Sequence, residues 1–275
     1  MLNKKEKLIL LVLFLVSIVL FTQYDLIFTK LVYQPNSEFG KFFWMFGELP
    51  GTFAGVTCLA ILTTSYTKDD EQKRDYNRIF YGLLTFIMGF VMSIQLIKYL
   101  ELEFFPYIFI GFILSMILIV WADQLSDTKK KHVRVYAFIG ILTVILGILI
   151  PNVIKLVWAR PRYRIILENK QLFRYWFDRV GFAINDDWKS FPSGHSAAAA
   201  TSLVYTFLPQ LYDKLKGKER RILVVCSLWI FIVMISRVVM GDHFVTDTLF
   251  GSGITILVFS SLKSLFLNHK KGNNG

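Results

Sequence analysis

The 275-residue chain is poor in several kinds of residue, and each shortage excludes a class of protein. Two cysteines, Cys58 and Cys226, are too few for a disulfide-stapled scaffold. Seven prolines and 17 glycines exclude a collagen-like or Gly/Pro-rich chain. Charged residues make up 19% of the chain, whereas a soluble domain usually has about 25%. With 54% hydrophobic residues, the chain also has too much apolar surface to stay disordered.

The apolar residues are gathered in long runs, and the mean hydropathy is +0.49, as is typical of a polytopic membrane protein. The first run follows three lysines, as in a signal peptide, but no small-residue cleavage site comes after it. We therefore predict an uncleaved first span and an all-α transmembrane helix bundle of about eight spans. The candidate spans are residues 8–21, 42–65, 79–97, 104–121, 133–158, 193–211, 222–239 and 244–267.

Lysine and arginine alternate between the connections of these spans. The N-terminus, the connections after spans two, four and six, and the C-terminal tail are basic, whereas the connections after spans one and three are not. The positive-inside rule then predicts that both termini are cytoplasmic. This distribution accounts for much of the net charge of +11 without a nucleic-acid partner.

One connection, residues 155–192, breaks this alternation. It is basic although it would lie on the outer side, and it is much longer than the other connections. Loops of this length are usually functional or disordered. We interpret it as an outer loop that binds an anion.

Three segments concentrate polar residues at the predicted outer ends of spans, where ionisable groups indicate function. In the last of them, residues 236–247, His243 and Asp247 are four residues apart and would share a helical face. A carboxylate beside a histidine fixes its tautomer and supports its charged form, so His243 is a candidate nucleophile or base. A structural His–Asp pair at a helix start is the alternative.

The middle segment, residues 190–196, has the features of a helix start. Ser193 can cap the helix, and the exposed N–H groups of such an end bind anions. Gly194 allows the backbone to approach a ligand, and His195 could donate a proton to a leaving oxygen. An ordinary packing helix would explain the cap and the small residues, but it does not need His195.

The earliest segment, residues 155–163, supplies cations. Lys155 and Arg162 are seven residues apart, about two helical turns, so they would face the same way. Arg160 would point elsewhere, and Arg237 adds a cation from the last segment. Snorkelling to lipid headgroups is the alternative for any one of them. Together the three segments predict a phosphate pocket, and the lack of an accompanying acidic cluster disfavours a metal-assisted reaction.

These segments closely resemble the motifs of the type 2 phosphatidic acid phosphatase family, which shares its site with vanadium haloperoxidases. Lys-x6-Arg-Pro is met by Lys155 and Arg162, Pro-Ser-Gly-His by residues 192–195, and Ser-Arg-x5-His-x3-Asp by Ser236, Arg237, His243 and Asp247. The order and separations also match, over residues 150–250.

The resemblance implies a role for each residue. His243 would attack phosphorus and form a phosphohistidine, Asp247 would orient His243, and His195 would protonate the leaving oxygen. Water would then hydrolyse the phosphoenzyme without a metal or cofactor. The phosphate would be held by Lys155, Arg162, Ser193, Gly194 and Arg237.

Two features depart from the family pattern. Tyr163 follows Arg162 where the family has proline, and the Arg-Pro pair stands at Arg160, so Arg160 is an alternative phosphate-binding residue. Family members commonly have six spans, with the first motif after the third, whereas here it follows the fifth. The chain would divide into N-terminal helices with two extra spans, a phosphatase core with its outer catalytic loop, and a polar tail: residues 1–125, 126–269 (loop 155–192) and 270–275.

Four polar residues lie at the outer face of the N-terminal region: Glu48, Gln95, Glu101 and Glu103. We expect solvated positions at helix ends or in loops. A contribution to a headgroup site is the alternative.

The sequence thus predicts an integral lipid phosphatase of the plasma membrane, with its site on the extracytoplasmic side. The substrate would be a lipid phosphate or diphosphate, such as undecaprenyl diphosphate, phosphatidylglycerophosphate or phosphatidate. A lipid phosphotransferase with the same site and a non-catalytic phospholipid-binding or transport protein are the alternatives, because the motifs do not encode the acceptor. A soluble haloperoxidase-like oxidase is excluded by the hydropathy.

Overall fold

The computed structural model describes residues 3–66, 71–97, 104–183 and 185–272, and within these residues the chain is helical and has no strand. Glu101, Glu103 and residues 273–275 of the predicted tail lie outside this part. The helices are α1 (Lys4–Val32), α2 (Glu38–Phe46), α3 (Leu49–Thr64), α4 (Glu71–Ile97), α5 (Phe104–Asp123), α6 (Asp127–Trp158), α7 (Tyr163–Ile166), α8 (Gly194–Ala200), α9 (Leu208–Leu211), α10 (Glu219–Val239) and α11 (Val245–Gly272). Short 3-10 helices cover Lys170–Leu172, Asp186–Trp188, Thr201–Phe207 and Asp213–Leu215.

Seven helical segments of the described chain are long and apolar enough to cross a membrane. Five of them are single helices: α1, α4, α5, α10 and α11. The other two each combine two successive helices, α2 with α3 and α6 with α7. Their outward faces are apolar. In α1, for example, only 6% of the most apolar 18-residue stretch is buried within the chain. A lipid environment is the one in which such faces are stable. The prediction of a polytopic all-α membrane protein is therefore confirmed.

The sixth predicted span, residues 193–211, is helical but is not one regular helix. It consists of α8, the 3-10 helix Thr201–Phe207 and α9 in direct succession. Within it, the hydroxyl of Thr201 donates to the carbonyl of Ala198 (2.6 Å), and that of Thr206 donates to Leu203 (2.7 Å). Such side-chain bonds compete with the helical ladder. In the described chain, seven candidate spans and one distorted, largely buried segment thus replace the expected eight.

The N-terminus and the predicted basic connections after spans four and six lie together at one end of the bundle. Arg220 at the start of α10 pairs with Glu6 at the start of α1 (2.8 Å). Lys129 at the start of α6 lies 3.7 Å from Asp213, which follows α9. The starts of α1, α6 and α10 are therefore neighbours, and the segments that carry the candidate site residues meet at the opposite end.

The α4–α5 hairpin packs mainly against α3 and has little contact with α8, α10 or α11. Its two helices cross closely, because a Cβ on Gly111 would lie 2.7 Å from the Cα atom of Phe90. The hydroxyl of Ser115 also donates to the carbonyl of Thr85 across the crossing (3.1 Å). Small residues that let backbones approach are a usual means of helix association in membranes.

Substitution of Gly111 by alanine should therefore separate α4 from α5. The added methyl group would meet backbone atoms that cannot rotate away, so we expect a loss of about 1–3 kcal/mol in the free energy of unfolding. The matched control is Gly82→Ala on α4, where the nearest atom to a new Cβ is 3.7 Å away. Unfolding in detergent should distinguish the two variants, and equal stability of both would contradict the close crossing.

Candidate active site

Lys155 lies in the last turn of α6, and its side chain reaches the start of α8. A Cβ on Gly194 would be only 3.1 Å from the Lys155 amine, so the glycine allows the amine to approach the α8 backbone. Ser193 precedes α8, and its hydroxyl accepts a hydrogen bond from the amide of Ser196 (3.3 Å). Two predicted phosphate-binding segments are thus in contact.

The chain leaves α6 through Ala159, which has a left-handed backbone conformation (φ 54°). The helix ends at Trp158, so the expectation that Lys155 and Arg162 share one helical face was wrong. Arg162 lies instead in the extended segment after the helix. Its guanidinium pairs with the carboxylates of Asp186 (2.9 Å) and Asp242 (3.2 Å). Asp242 also pairs with Arg237, which brings the first and last motifs together.

Arg160 points away from this cluster and is fully buried. Its guanidinium donates to the carboxylate of Asp247, to the hydroxyl of Thr246 (2.9 Å) and to the carboxylate of Asp25 in α1 (3.0 Å). It also lies over the ring of Phe244, with 4.3 Å to the centroid. Arg160 is therefore an ion-pair partner in the protein interior.

His243 lies in the turn between α10 and α11 and is 1% exposed. Its Nδ1 atom lies 2.6 Å from the backbone carbonyl of Ser190. A carbonyl can only accept, so Nδ1 carries the proton, and in the neutral ring Nε2 has the lone pair. Burial, together with the positive charges of Lys155 and Arg162, lowers the pKa of His243 well below its ordinary value. The imidazole is therefore neutral at physiological pH and able to act as a nucleophile through Nε2.

Asp247 does not bond directly to His243, because its nearer oxygen is 3.9 Å from Nδ1. That oxygen instead accepts hydrogen bonds from the hydroxyl of Ser190 (2.5 Å) and the amide of Phe244 (2.8 Å). The carboxylate thus reaches the histidine through Ser190, and the backbone amide of Ser193 also donates to the carbonyl of Asp247 (2.9 Å). Sequence reasoning missed Ser190, which has no separate signal beyond its place before Pro-Ser-Gly-His.

Arg237 in the last turn of α10 is fully buried. One of its terminal nitrogens pairs with the carboxylate of Asp242. Its Nε and Nη1 atoms, in contrast, have no hydrogen-bond partner among the described residues. Buried donors without partners are rare and costly, so this pair is suited to an anion.

His195 in the first turn of α8 lies with Nδ1 3.4 Å from the carboxylate of Glu48. Glu48 was expected to be solvated, but its carboxylate also accepts a hydrogen bond from the Gln95 amide in α4 (3.2 Å). The proximity of these residues has no signature in the sequence, because they come from three separate helices. Asp25 was missed as well, although a carboxylate within an apolar span is a recognisable signal.

The predicted residues thus form a single site that is rich in cations. No group of three or more His, Cys, Asp or Glu side chains with the geometry of a metal site occurs in the described part of the chain. The arrangement provides a neutral imidazole, a second histidine beside a carboxylate, and donors without partners. These are the components that phosphoryl transfer requires.

The ion pair between α1 and Arg160 should contribute strongly to stability. Replacement of Asp25 by alanine would leave the buried guanidinium short of one carboxylate, and we expect a loss of about 3 kcal/mol in the free energy of unfolding. The control is Glu38→Ala, which removes an exposed partner of Lys41 and should change stability by less than about 1 kcal/mol. Unfolding in detergent measures both, and similar losses would contradict a structural role for Asp25.

Comparison with known proteins gives a family match in the second half of the chain. A family model described as the PAP2 superfamily matches residues 136–271, which include every predicted site residue. Phosphatidylglycerophosphatase B of Bacillus subtilis (strain 168) is 36% identical over 103 residues, or 35% of this chain and 50% of that relative, so the chain spans about half the length of that protein. No solved structure matches the chain significantly. On this family match, residues 136–271 of the chain belong to the PAP2 superfamily, the type 2 phosphatidic acid phosphatases.

Proposed function

We propose that this protein is a membrane lipid phosphatase that hydrolyses a lipid phosphate or diphosphate. The observation that carries the proposal is the pair of buried Arg237 donors, Nε and Nη1, which have no partner among the described residues. Positive charge from Lys155 and Arg162 adds to the same region, since both act on His243 electrostatically. A phosphoryl group would satisfy these donors and balance the charge.

The neutral tautomer of His243 supports a covalent route. Nε2 would attack phosphorus while the bond from phosphorus to the leaving oxygen breaks. His195 would donate its proton to that oxygen, and the product alcohol or phosphate would leave. The proton on Nδ1 would stay on the ring and keep its hydrogen bond to the carbonyl of Ser190, and the carboxylate of Asp247 at 3.9 Å would stabilise the positive charge that develops on the ring.

Hydrolysis of the phosphohistidine would complete the cycle. Water would attack phosphorus, the bond from phosphorus to Nε2 would break, and His195 would take a proton from the water. Cationic side chains supply the charge stabilisation in both steps, so we propose a metal-independent reaction.

Excess chelator should therefore leave phosphate release intact, and vanadate, which mimics the five-coordinate phosphoryl group, should inhibit it.

Of the two candidate arginines in the first motif, the contacts favour Arg162 as the phosphate ligand. Arg162 shares Asp242 with Arg237, whose unpartnered donors define the proposed phosphate position. Arg160 has its guanidinium occupied by Asp25, Thr246 and Asp247. Ser193 and the Gly194 amide would complete the cradle beside Lys155.

The apolar faces of the helices favour a substrate that reaches the site from the bilayer. Phosphatidylglycerophosphate is a first candidate because the curated relative is named for its hydrolysis. Undecaprenyl diphosphate and phosphatidate remain candidates of the same chemistry. Each would present a phosphoryl group to the cations while its tail stays among the helices.

Replacement of His243 by alanine should abolish phosphate release. Loss of the nucleophile should lower the rate by more than about a thousandfold. The measurement is phosphate release by detergent-purified protein in excess chelator, with phosphatidylglycerophosphate, undecaprenyl diphosphate, phosphatidate and a soluble phosphate ester as substrates.

The matched control is His132→Ala, which changes a histidine near the basic end that contacts Gln210 and should leave the rate unchanged. No release from any substrate by the wild-type protein, with lipid binding retained, would contradict the phosphatase. That result would favour a phosphotransferase lacking its acceptor or a binding protein. Release by His243→Ala at the wild-type rate would contradict the phosphohistidine.

We also propose that the protein resides in the plasma membrane with this site on the extracytoplasmic side. The basic connections at the opposite end support this orientation through the positive-inside rule. Both native cysteines, Cys58 and Cys226, are buried, so labelling of a single introduced cysteine can test it.

A cysteine introduced at the exposed residue Glu168 should react with a membrane-impermeant maleimide in intact cells. A cysteine introduced at Lys218, between α9 and α10, should react only after the membrane is permeabilised. The reverse pattern would place the site in the cytoplasm. The wild-type protein, with only its two buried thiols, is the background control.

A further inference from the structure

Glu48 is held against the site by the backbone on both sides of it. The carbonyl of Gly47 accepts a hydrogen bond from the indole of Trp229 in α10 (3.0 Å). The carbonyl of Pro50 accepts one from the hydroxyl of Tyr205 (2.7 Å). Next to them, Gly51 packs so closely that a Cβ would lie 2.6 Å from the carbonyl oxygen of Ala198 in α8. The start of α3 is therefore fixed to the helix that carries His195.

The Glu48 carboxylate is held as firmly as its backbone. One oxygen accepts a hydrogen bond from the amide of Gln95 in α4 (3.2 Å), and the other lies 3.4 Å from Nδ1 of His195. Glu48 and His195 are both about a quarter exposed, with side-chain exposures of 29% and 25%. A solvated helix-end carboxylate would need neither contact. Neither Glu48 nor Gln95 lies in the region that the family model matches.

The charges around His195 indicate a function for its contact with Glu48. A general acid must hold a proton, yet Lys155, Arg162 and Arg237 place three positive charges at the site, and like charge disfavours an imidazolium. The Glu48 carboxylate lies 3.4 Å from this ring. In the part of the chain that the structure describes, the other ionisable groups facing the site include Lys155 from α6, Arg162 after it, Asp186 from the outer loop, Arg237 from α10, and Asp242, His243 and Asp247 around the start of α11.

The nearby aspartates are engaged elsewhere. Asp242 pairs with Arg162 and Arg237, and Asp247 pairs with Arg160 and the hydroxyl of Ser190. They balance arginines rather than the His195 ring. The Glu48 charge also acts on Lys155 and Arg237, so it lies within the electrostatic field of the site.

We propose that Glu48 is a positioning residue for His195, which orients the ring and stabilises its protonated form, and that Gln95 holds Glu48 in place. The role rests on the proposed phosphatase function. With Nδ1 directed at the carboxylate, His195 donates its proton to the leaving oxygen from Nε2 as the bond to phosphorus breaks. Nε2 then takes a proton from the attacking water. The proton on Nδ1 does not move in either step.

The test is Glu48→Gln, assayed with two substrates that differ in their need for an acid. Phosphatidate has a strongly basic leaving oxygen, whereas p-nitrophenyl phosphate has a weakly basic one that leaves without protonation. We expect kcat/KM for phosphatidate to fall about tenfold at neutral pH, and for p-nitrophenyl phosphate less than about twofold. The alkaline limb of the phosphatidate pH profile should move about one pH unit lower, because without the carboxylate His195 loses its proton at lower pH.

Three further variants separate this role from a structural one. Glu48→Asp keeps the charge and should restore part of the alkaline limb. Gln95→Leu leaves Glu48 in place and should shift the limb in the same direction by less. Glu38→Gln, an exposed carboxylate of α2, should match the wild type in every assay.

The outcomes distinguish this role from the proposed function. A wild-type protein that releases phosphate from neither substrate overturns the phosphatase and with it the role of Glu48. An active wild type overturns the Glu48 role alone if Glu48→Gln loses activity equally on both substrates or leaves the alkaline limb unmoved. If Glu48→Gln does not fold, the pH profile of Gln95→Leu decides, and an unmoved limb there overturns the role.

Discussion

The buried guanidinium of Arg160 is the constraint on which the rest of the site depends. A charge inside an apolar bundle is tolerated only when it is paired and hydrogen-bonded. Here the pairing comes from Asp25 of α1 and from Asp247 of α11, with Thr246 and the carbonyl of Arg174 completing the bonds. None of these groups can be buried at low cost unless α1, the end of α6 and α11 come together. The site therefore assembles as one unit with the bundle.

The same network sets the geometry of the proposed nucleophile. Asp247 divides its two oxygens between Arg160 on one side and Ser190 with the Phe244 amide on the other. The carbonyl of Ser190 in turn accepts the Nδ1 proton of His243. An ion pair that stabilises the fold thus determines the tautomer of a histidine at the site. Loss of one residue of this network would perturb the hydrogen bonds of the others, because buried polar networks act as units.

The fold class and the clustering of the motifs were predictable from the sequence, because long apolar runs require helices and the motif segments fall at the ends of spans. Local geometry was less predictable. The left-handed Ala159 ends α6 three residues before Arg162. Arg162 therefore does not share a helical face with Lys155, as the spacing had predicted. The contacts of Asp25 and Glu48 were beyond sequence reasoning, because they join residues that are 47 to 221 positions apart, and no local periodicity reports such distances.

Residues on both sides of the predicted domain boundary at residue 125 contact one another at the site. Residues 136–271 contain the family motifs, yet Asp25 pairs with the arginine beside them and Glu48 contacts His195. The α4–α5 hairpin packs mainly on α3 and has little contact with the helices that carry the family motifs. For that reason we infer that α4 and α5 are the two additional spans. Even this pair reaches the site, because Gln95 bonds to Glu48. Through Gln95 the α4–α5 hairpin thus contacts the carboxylate that faces the proposed general acid.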